Sequence, residues 1–277
     1  MSLFDMSGMV AVITGSTKGI GRAIAERMAE HGAKVVISSR SEADCEREAS
    51  AINTTYGQGR ALPCTADISD RDSLRELVER TCAQWDAIDI LVLNAVFPVL
   101  GTFDQMDEKA FADGLTVNLV NNAGLVKDAL PLLKTKGGSI IFISSIFGEV
   151  PVPEALLYGI VKGGFNYMAA ALALQLAPYK IRVNAIAPGL IRTPASTPIL
   201  DTPEIINPVR EDVPLGRPGE PDEIAALAVL LASPGGAFIT GQTINDDGGW
   251  SLGGKSAREM IQNIGKLAQR GAPGGAH

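Results

Sequence analysis

Short, continuously apolar runs alternate with helix-length amphipathic runs along most of this chain, and that alternation limits its possible folds more than any other feature. Residues 9–14 read as a compact strand. Residues 20–31 follow as a helix, with Ile20, Ile24 and Met28 on one face and Gly32 as its stop. Further strands are expected over 34–38, 61–64, 88–93, 139–144, 181–186 and 243–245, and helices over 42–56, 70–84 and 155–176. Strands separated by helices pair in parallel through right-handed crossovers. Strands apolar on both faces belong in a sheet covered by helices on both sides. The expected fold is therefore α/β, a doubly wound parallel sheet of the Rossmann type, in one domain over residues 1–252. The proline-rich stretch 193–222 breaks the pattern and is expected to form a substrate loop or lid. Residues 253–277 are expected to be a tail with one short helix. There Ser256 and Glu259 form a capping box, and Met260, Ile261, Ile264, Leu267 and Ala268 form an apolar stripe.

Composition removes several function classes. The longest apolar run, residues 224–232, is far short of the ~20 residues a membrane span needs. The net charge of −7 lacks the basic footprint of a nucleic-acid binder. Three scattered cysteines, Cys45, Cys64 and Cys82, and only 2 histidines support neither a disulfide framework nor a metal site. The first residues lack the pattern of a secretory leader, so a cytoplasmic location is expected.

Thr14-Gly15-Ser16-Thr17-Lys18-Gly19-Ile20-Gly21 joins the first strand to the first helix. Glycines there permit a tight turn and close backbone approach by a pyrophosphate, and the helix N-terminus favours the anion. The whole segment Gly15 to Gly21 is thus expected to hold a dinucleotide. An acid at the end of the second strand would bond a ribose 2′-hydroxyl, whereas an arginine accommodates a 2′-phosphate. The strand ends Ser38-Ser39-Arg40, and Lys18 adds a second positive charge. NADP is the expected cofactor, in preference to NAD.

Tyr158 and Lys162 are four residues apart on an expected helix and so share a face. A phenol is a poor base at neutral pH, but a neighbouring ammonium favours its phenolate. The pair is suited to moving a proton on or off an alcohol oxygen. Ser145 ends the fifth strand, where ligands of open α/β sheets bind, and its hydroxyl can bond the same oxygen. Ser144 is the competing choice and is expected to point away.

These motifs together resemble the classical short-chain dehydrogenase/reductases over about residues 5–252. The likeness extends to Asn118 in Val117-Asn118-Leu119, to Asp67 in Ala66-Asp67-Ile68, and to Pro188-Gly189-Leu190-Ile191-Arg192-Thr193. The resemblance implies that Tyr158 is the general acid/base and that Lys162 lowers its pKa and holds the nicotinamide ribose. It implies that Ser145 orients a substrate carbonyl and that Asn118 helps hold a proton-relaying water. Asp67 and Ile68 would lie at the adenine, and Pro188, Gly189, Ile191 and Thr193 at the nicotinamide. The family usually has Asn-Asn-Ala-Gly after the fourth strand, but here that place reads Leu93-Asn94-Ala95-Val96. The literal string Asn121-Asn122-Ala123-Gly124 comes later, so Asn94 and Ala95 are expected at the cofactor, and Asn121 and Asn122 are read as helix residues with no cofactor role. The resemblance further implies a homotetramer and a pocket lined by Phe97, Pro98, Phe147, Val150 and Val152, fitting a small ketone or alcohol with an apolar body. Two alternatives are an enoyl reductase of the same fold, whose tyrosine and lysine stand further apart, and a non-catalytic dinucleotide sensor or scaffold.

Overall fold

The fold follows that alternation closely. The computed structural model describes residues 2–97 and 103–253. In chain order it runs β1 (Val10–Thr14), α1 (Gly19–Glu30), β2 (Lys34–Ser39), α2 (Glu42–Tyr56), β3 (Ala61–Thr65), α3 (Arg71–Trp85) and β4 (Ile90–Leu93). Then come α4 (Glu108–Leu115), a π-helical turn (Thr116–Val120), α5 (Asn121–Lys136), β5 (Gly138–Ile143), α6 (Leu156–Leu176) and β6 (Ile181–Pro188). The chain continues through α7 (Thr197–Leu200), α8 (Pro203–Asp212), α9 (Pro221–Ala232) and β7 (Thr243–Asp246).

The seven strands form one parallel sheet in the order β3-β2-β1-β4-β5-β6-β7. Crossovers run outward in both directions from β1. The crevice at the carboxyl ends of β1 and β4 is therefore the switch point at which doubly wound sheets bind ligands.

Successive residues of each strand feed opposite layers. Ile13, Ile37 and Ile141 pack with α1, α2 and α9, while Val12, Val36, Leu91 and Phe142 pack with α3, α5 and α6. Side chains buried on both faces explain why the strands lack polar alternation.

Local chemistry sets most boundaries. The Ser41 hydroxyl accepts from the Asp44 amide and starts α2, and the Asp70 carboxylate accepts from the Asp72 amide and starts α3. Gly32, at φ +99°, ends the first helix as expected.

The stretch expected to be an irregular loop is more ordered than its prolines imply. Pro203 starts α8 and Pro221 starts α9, positions where a missing N–H costs nothing. The excursion closes at its neck, where Ile191 bridges Gly219 and Arg192 pairs with Glu220 at 3.1 Å. The tail helix expected within 255–277 and the pocket residue Pro98 lie outside the described residues. Among the described residues, no helix is long and apolar enough to cross a membrane.

Candidate active site

The carboxyl ends of β1 to β4 open onto a cleft of about 1010 Å³, lined by Gly15, Ser39, Arg40, Asp67, Ile68 and Ala95 among others. Its floor is the turn between β1 and α1. Gly15 and Gly19 have φ of +66° and +55°, which L side chains rarely adopt. A Cβ on Gly21 would lie 2.4 Å from both the Asn94 Nδ2 and the Gly15 carbonyl oxygen. The helix behind the turn carries no acid in its first turn and no side-chain cap at Lys18, so its N-terminal amides are open to an anion. A backbone cradle of this kind fits a dinucleotide pyrophosphate.

Asn94 stitches this turn to β4. Its Nδ2 donates to the carbonyls of Thr14 at 2.8 Å and Gly15 at 3.1 Å, and the Asn94 and Ala95 amides both donate to Thr14 Oγ1 at 3.0 Å. Ser16 is buried and spends its hydroxyl inside the fold. It donates to the Ile13 carbonyl and accepts from the Ser38 amide, each at 2.8 Å. Thr17 is also buried, and Ile20 packs against the core under α1. The Lys18 ammonium is 3.2 Å from Asp44. Arg40 lines the cleft and is left out of the neighbouring ion pairs Lys18–Asp44, Arg22–Glu48 and Arg47–Asp44.

The segment after β6 closes over the same turn. The Thr193 Cγ2 lies 3.1 Å from the position of a Cβ on Gly19. Gly189 passes so close to Asp247 that a Cβ would approach its Cα to 2.9 Å. Ser196 shapes this segment by accepting from the Thr193 amide at 2.8 Å and donating to the Ile191 carbonyl at 2.6 Å.

The proposed chemical residues gather at the ends of β4 and β5. Asn118, 1% exposed, sits in the π-helical turn. Its Nδ2 donates to the carbonyls of Gly114 and Phe97, at 2.8 and 3.0 Å, and its Oδ1 accepts from the Phe97 amide at 2.8 Å. Ser145 caps the turn after β5 through the Phe147 amide, and its side chain acts on the Tyr158 phenol in the direction that favours the phenolate. Ser144 does point away, donating to the Lys162 carbonyl at 3.0 Å.

Lys162 is buried at the centre of the group. Its Nζ donates to the Ile143 carbonyl at 2.6 Å and lies 5.4 Å from the Tyr158 ring centroid. The electrostatics correct the sequence reading. Burial holds the Tyr158 phenol above its usual value, and the Ser145 side chain pulls it back only in part. Burial also pushes the Lys162 ammonium down to about 7, and the phenol beside it is raised on balance where a lowered value is expected.

The Phe147 ring meets the Tyr158 ring edge-on at 6.4 Å and Trp250 at 6.3 Å. Phe97 and Val150 are exposed, and Val152 is half-buried. Sequence reasoning missed Trp250, Ser196 and the Thr14 hydroxyl. Only Thr14, the residue before the first glycine of the turn, carried a local signal.

A family model described as Enoyl-(Acyl carrier protein) reductase matches residues 15–251. A tropinone reductase homologue of Arabidopsis thaliana is 34% identical over 256 residues, covering 91% of this chain and 96% of its own. An uncharacterized oxidoreductase of Methylorubrum extorquens is 37% identical over 248 residues, covering 88% and 98%. The crystal structure of a putative short-chain alcohol dehydrogenase from Sinorhizobium meliloti is similar with a TM-score of 0.85 and 31% identity, covering 91% of this chain and all of its own. A match of that extent, over a seven-stranded parallel sheet with a glycine cradle at its switch point, makes this chain a member of the short-chain dehydrogenase/reductase family of NAD(P)-dependent oxidoreductases.

Proposed function

We propose that this protein reduces a ketone with NADPH, or oxidises the matching secondary alcohol in the reverse direction, with Tyr158 as the proton donor. The convergence of the Ser145 and Tyr158 hydroxyls beside the buried Lys162 carries this reading. A carbonyl oxygen bonded by both hydroxyls would be polarised by Ser145 and protonated by Tyr158 as negative charge develops on it. The nicotinamide, when bound, supplies the hydride. A phenol held neutral by burial is a donor ready for the reductive direction. Lys162, with a pKa near neutrality, can return a proton to Tyr158. Asn118 holds the Phe97 end of the β4 loop by two hydrogen bonds and is itself anchored to the Gly114 carbonyl by a third, and this keeps the wall of the site in place.

In this reading Gly15 to Gly21 hold the pyrophosphate and Asp67, Ile68 and Ala95 receive the adenine. Asn94, Tyr158 and Lys162 hold the nicotinamide ribose, while Pro188, Gly189, Ile191 and Thr193 face the nicotinamide amide. The 2′-phosphate falls to Arg40, with Ser39 beside it, because Lys18 is already compensated by Asp44. Phe147 and Trp250 favour a substrate with an apolar body. A tetramer follows from the same family likeness. On α6, Ile160, Tyr167 and Leu174 recur every seven residues and are exposed, a stripe that a second copy would cover.

The family model's own description favours a second reading, reduction of an enoyl C=C bond. Absorbance of NADPH followed across a panel of activated ketones and enoyl thioesters separates the two. Consumption with ketones alone supports the proposal; consumption with enoyl thioesters alone overturns it.

A further inference from the structure

We propose that the adjacent carboxamides of Asn121 and Asn122 are positioning residues that hold the two ends of the cofactor cleft in register from a single helical turn. This rests on the oxidoreductase reading above for what the cleft binds.

Asn121, 6% exposed, opens α5 and donates from Nδ2 to the Ile68 carbonyl at 2.8 Å, across 53 residues of sequence. Ile68 lines the cleft in a short loop with Asp67 and Ser69. Within that loop the Asp67 carboxylate accepts from the Ser69 amide at 2.9 Å and its hydroxyl at 2.8 Å, while the Asp67 amide donates to the Ser73 hydroxyl and the Asp70 amide to the Asp67 carbonyl, each at 3.1 Å. Asn121 grips the Ile68 carbonyl and ties the adenine side of the cleft to the helix.

Asn122 is fully buried and acts at the other end. Its Nδ2 donates to the Asn118 carbonyl at 2.7 Å, in the π-helical turn whose side chain holds the Phe97 loop. Its Oδ1 is buried with no partner among the described residues, which leaves an acceptor for a bound water at this end.

The rest of the string keeps the turn seated. A Cβ on Gly124 would lie 2.3 Å from Arg71 Nε, so the glycine makes room for the guanidinium. Arg71, in the first turn of α3, pairs with Asp128 on α5. Asn-Asn-Ala-Gly is therefore a docking string for α5. Neither asparagine needs to touch the cofactor to act on it, because each works through a carbonyl of the cleft wall.

The test uses the full-length protein and two probes, ADP-ribose for the adenine half and NADPH for the whole. Losing one buried hydrogen bond of this kind corresponds to about a fivefold change. Asn121→Ala should weaken ADP-ribose binding at least fivefold by calorimetry, with a larger effect on Kd than on kcat. In the unliganded protein it should also speed hydrogen exchange at the 67–69 amides. Asn122→Ala should do the reverse, lowering kcat at least fivefold and shifting the pH–rate profile more than it changes the ADP-ribose Kd. The uncharged Asn121→Leu and Asn122→Leu, which remove the donor and keep most of the side-chain volume, replace any alanine variant that does not fold. Parallel losses in Kd and kcat that track thermal stability in both variants would mean general destabilisation and overturn the proposal. So would wild-type exchange and binding in Asn121→Ala. Wild-type protein that binds neither probe would instead bring down the oxidoreductase reading itself.

Discussion

Lys162→Met should make the unliganded protein more stable at neutral pH while removing its activity. The wild-type ammonium is buried, and its pKa falls from the ordinary 10.5 to about 7. That drop corresponds to a cost of roughly 5 kcal/mol for keeping the group charged inside the fold. Methionine fills much of the same space without the charge. It leaves the Ile143 carbonyl without the bond it accepts at 2.6 Å, which costs about 1–3 kcal/mol. The net expected gain near pH 7 is about 2 kcal/mol.

The pH dependence is the sharper signature. Unfolded chains keep this lysine protonated up to about 10.5, whereas the native state releases the proton near 7, so unfolding takes up a proton between those values. Wild-type stability therefore rises with pH through that window, and the advantage of the variant shrinks. It should narrow by about 2 kcal/mol between pH 7 and 9 and be constant below the native pKa. Tyr158, held above 10 by burial, is silent in this range. Urea denaturation of both proteins at pH 6, 7, 8 and 9 without dinucleotide reads the gap directly. A gap that is flat across that range, or a variant less stable throughout, would refute the claim that Lys162 is a desolvated ammonium.

Three further outcomes follow from the cleft. Gly21→Ala should lose about 1–3 kcal/mol in urea denaturation, because its Cβ would lie 2.4 Å from Asn94 Nδ2 and the Gly15 carbonyl. Asn94→Ala removes two donors from the turn and should weaken dinucleotide binding by about tenfold in calorimetry. Arg40→Ala should raise KM for NADPH by tenfold or more and leave KM for NADH nearly unchanged, since only the former carries a 2′-phosphate; equal effects on both would remove Arg40 from that role.

The elements legible in the sequence were those with a local cause. The bounds of α2 agree with expectation to the residue because Ser41 caps its start and Gly57 its end. The glycine turn was legible because strand, turn and helix are contiguous. The edges of β4 and β6 were less so. Expected from residue 88, β4 begins at Ile90, where the Asp89 side chain turns back to accept from the Val10 amide at 2.8 Å. Expected to end at 186, β6 runs to Pro188 because its partner β7 extends to Asp246. Both depend on contacts distant in sequence.

The same limit applies to the site. The Ser145, Tyr158 and Lys162 spacing could be read along the chain, but the burial that raises the phenol and lowers the amine could not. The Asn121-Asn122 string reads in the sequence as plain helix because its position relative to the strands does not match the family pattern. Its contact with Ile68 comes from the docking of α5, which no local rule encodes, whereas the bond from Asn122 to the Asn118 carbonyl is an i−4 contact within the helical segment.

Tyr158→Phe tests the central claim most directly, since it removes one hydroxyl and leaves the ring against Phe147. NADPH binding by calorimetry and ketone reduction by NADPH absorbance are measured on the same preparation. The account predicts a Kd close to wild type and turnover lowered at least ~10²-fold, the scale of general acid catalysis. Near-normal turnover in this variant would contradict it.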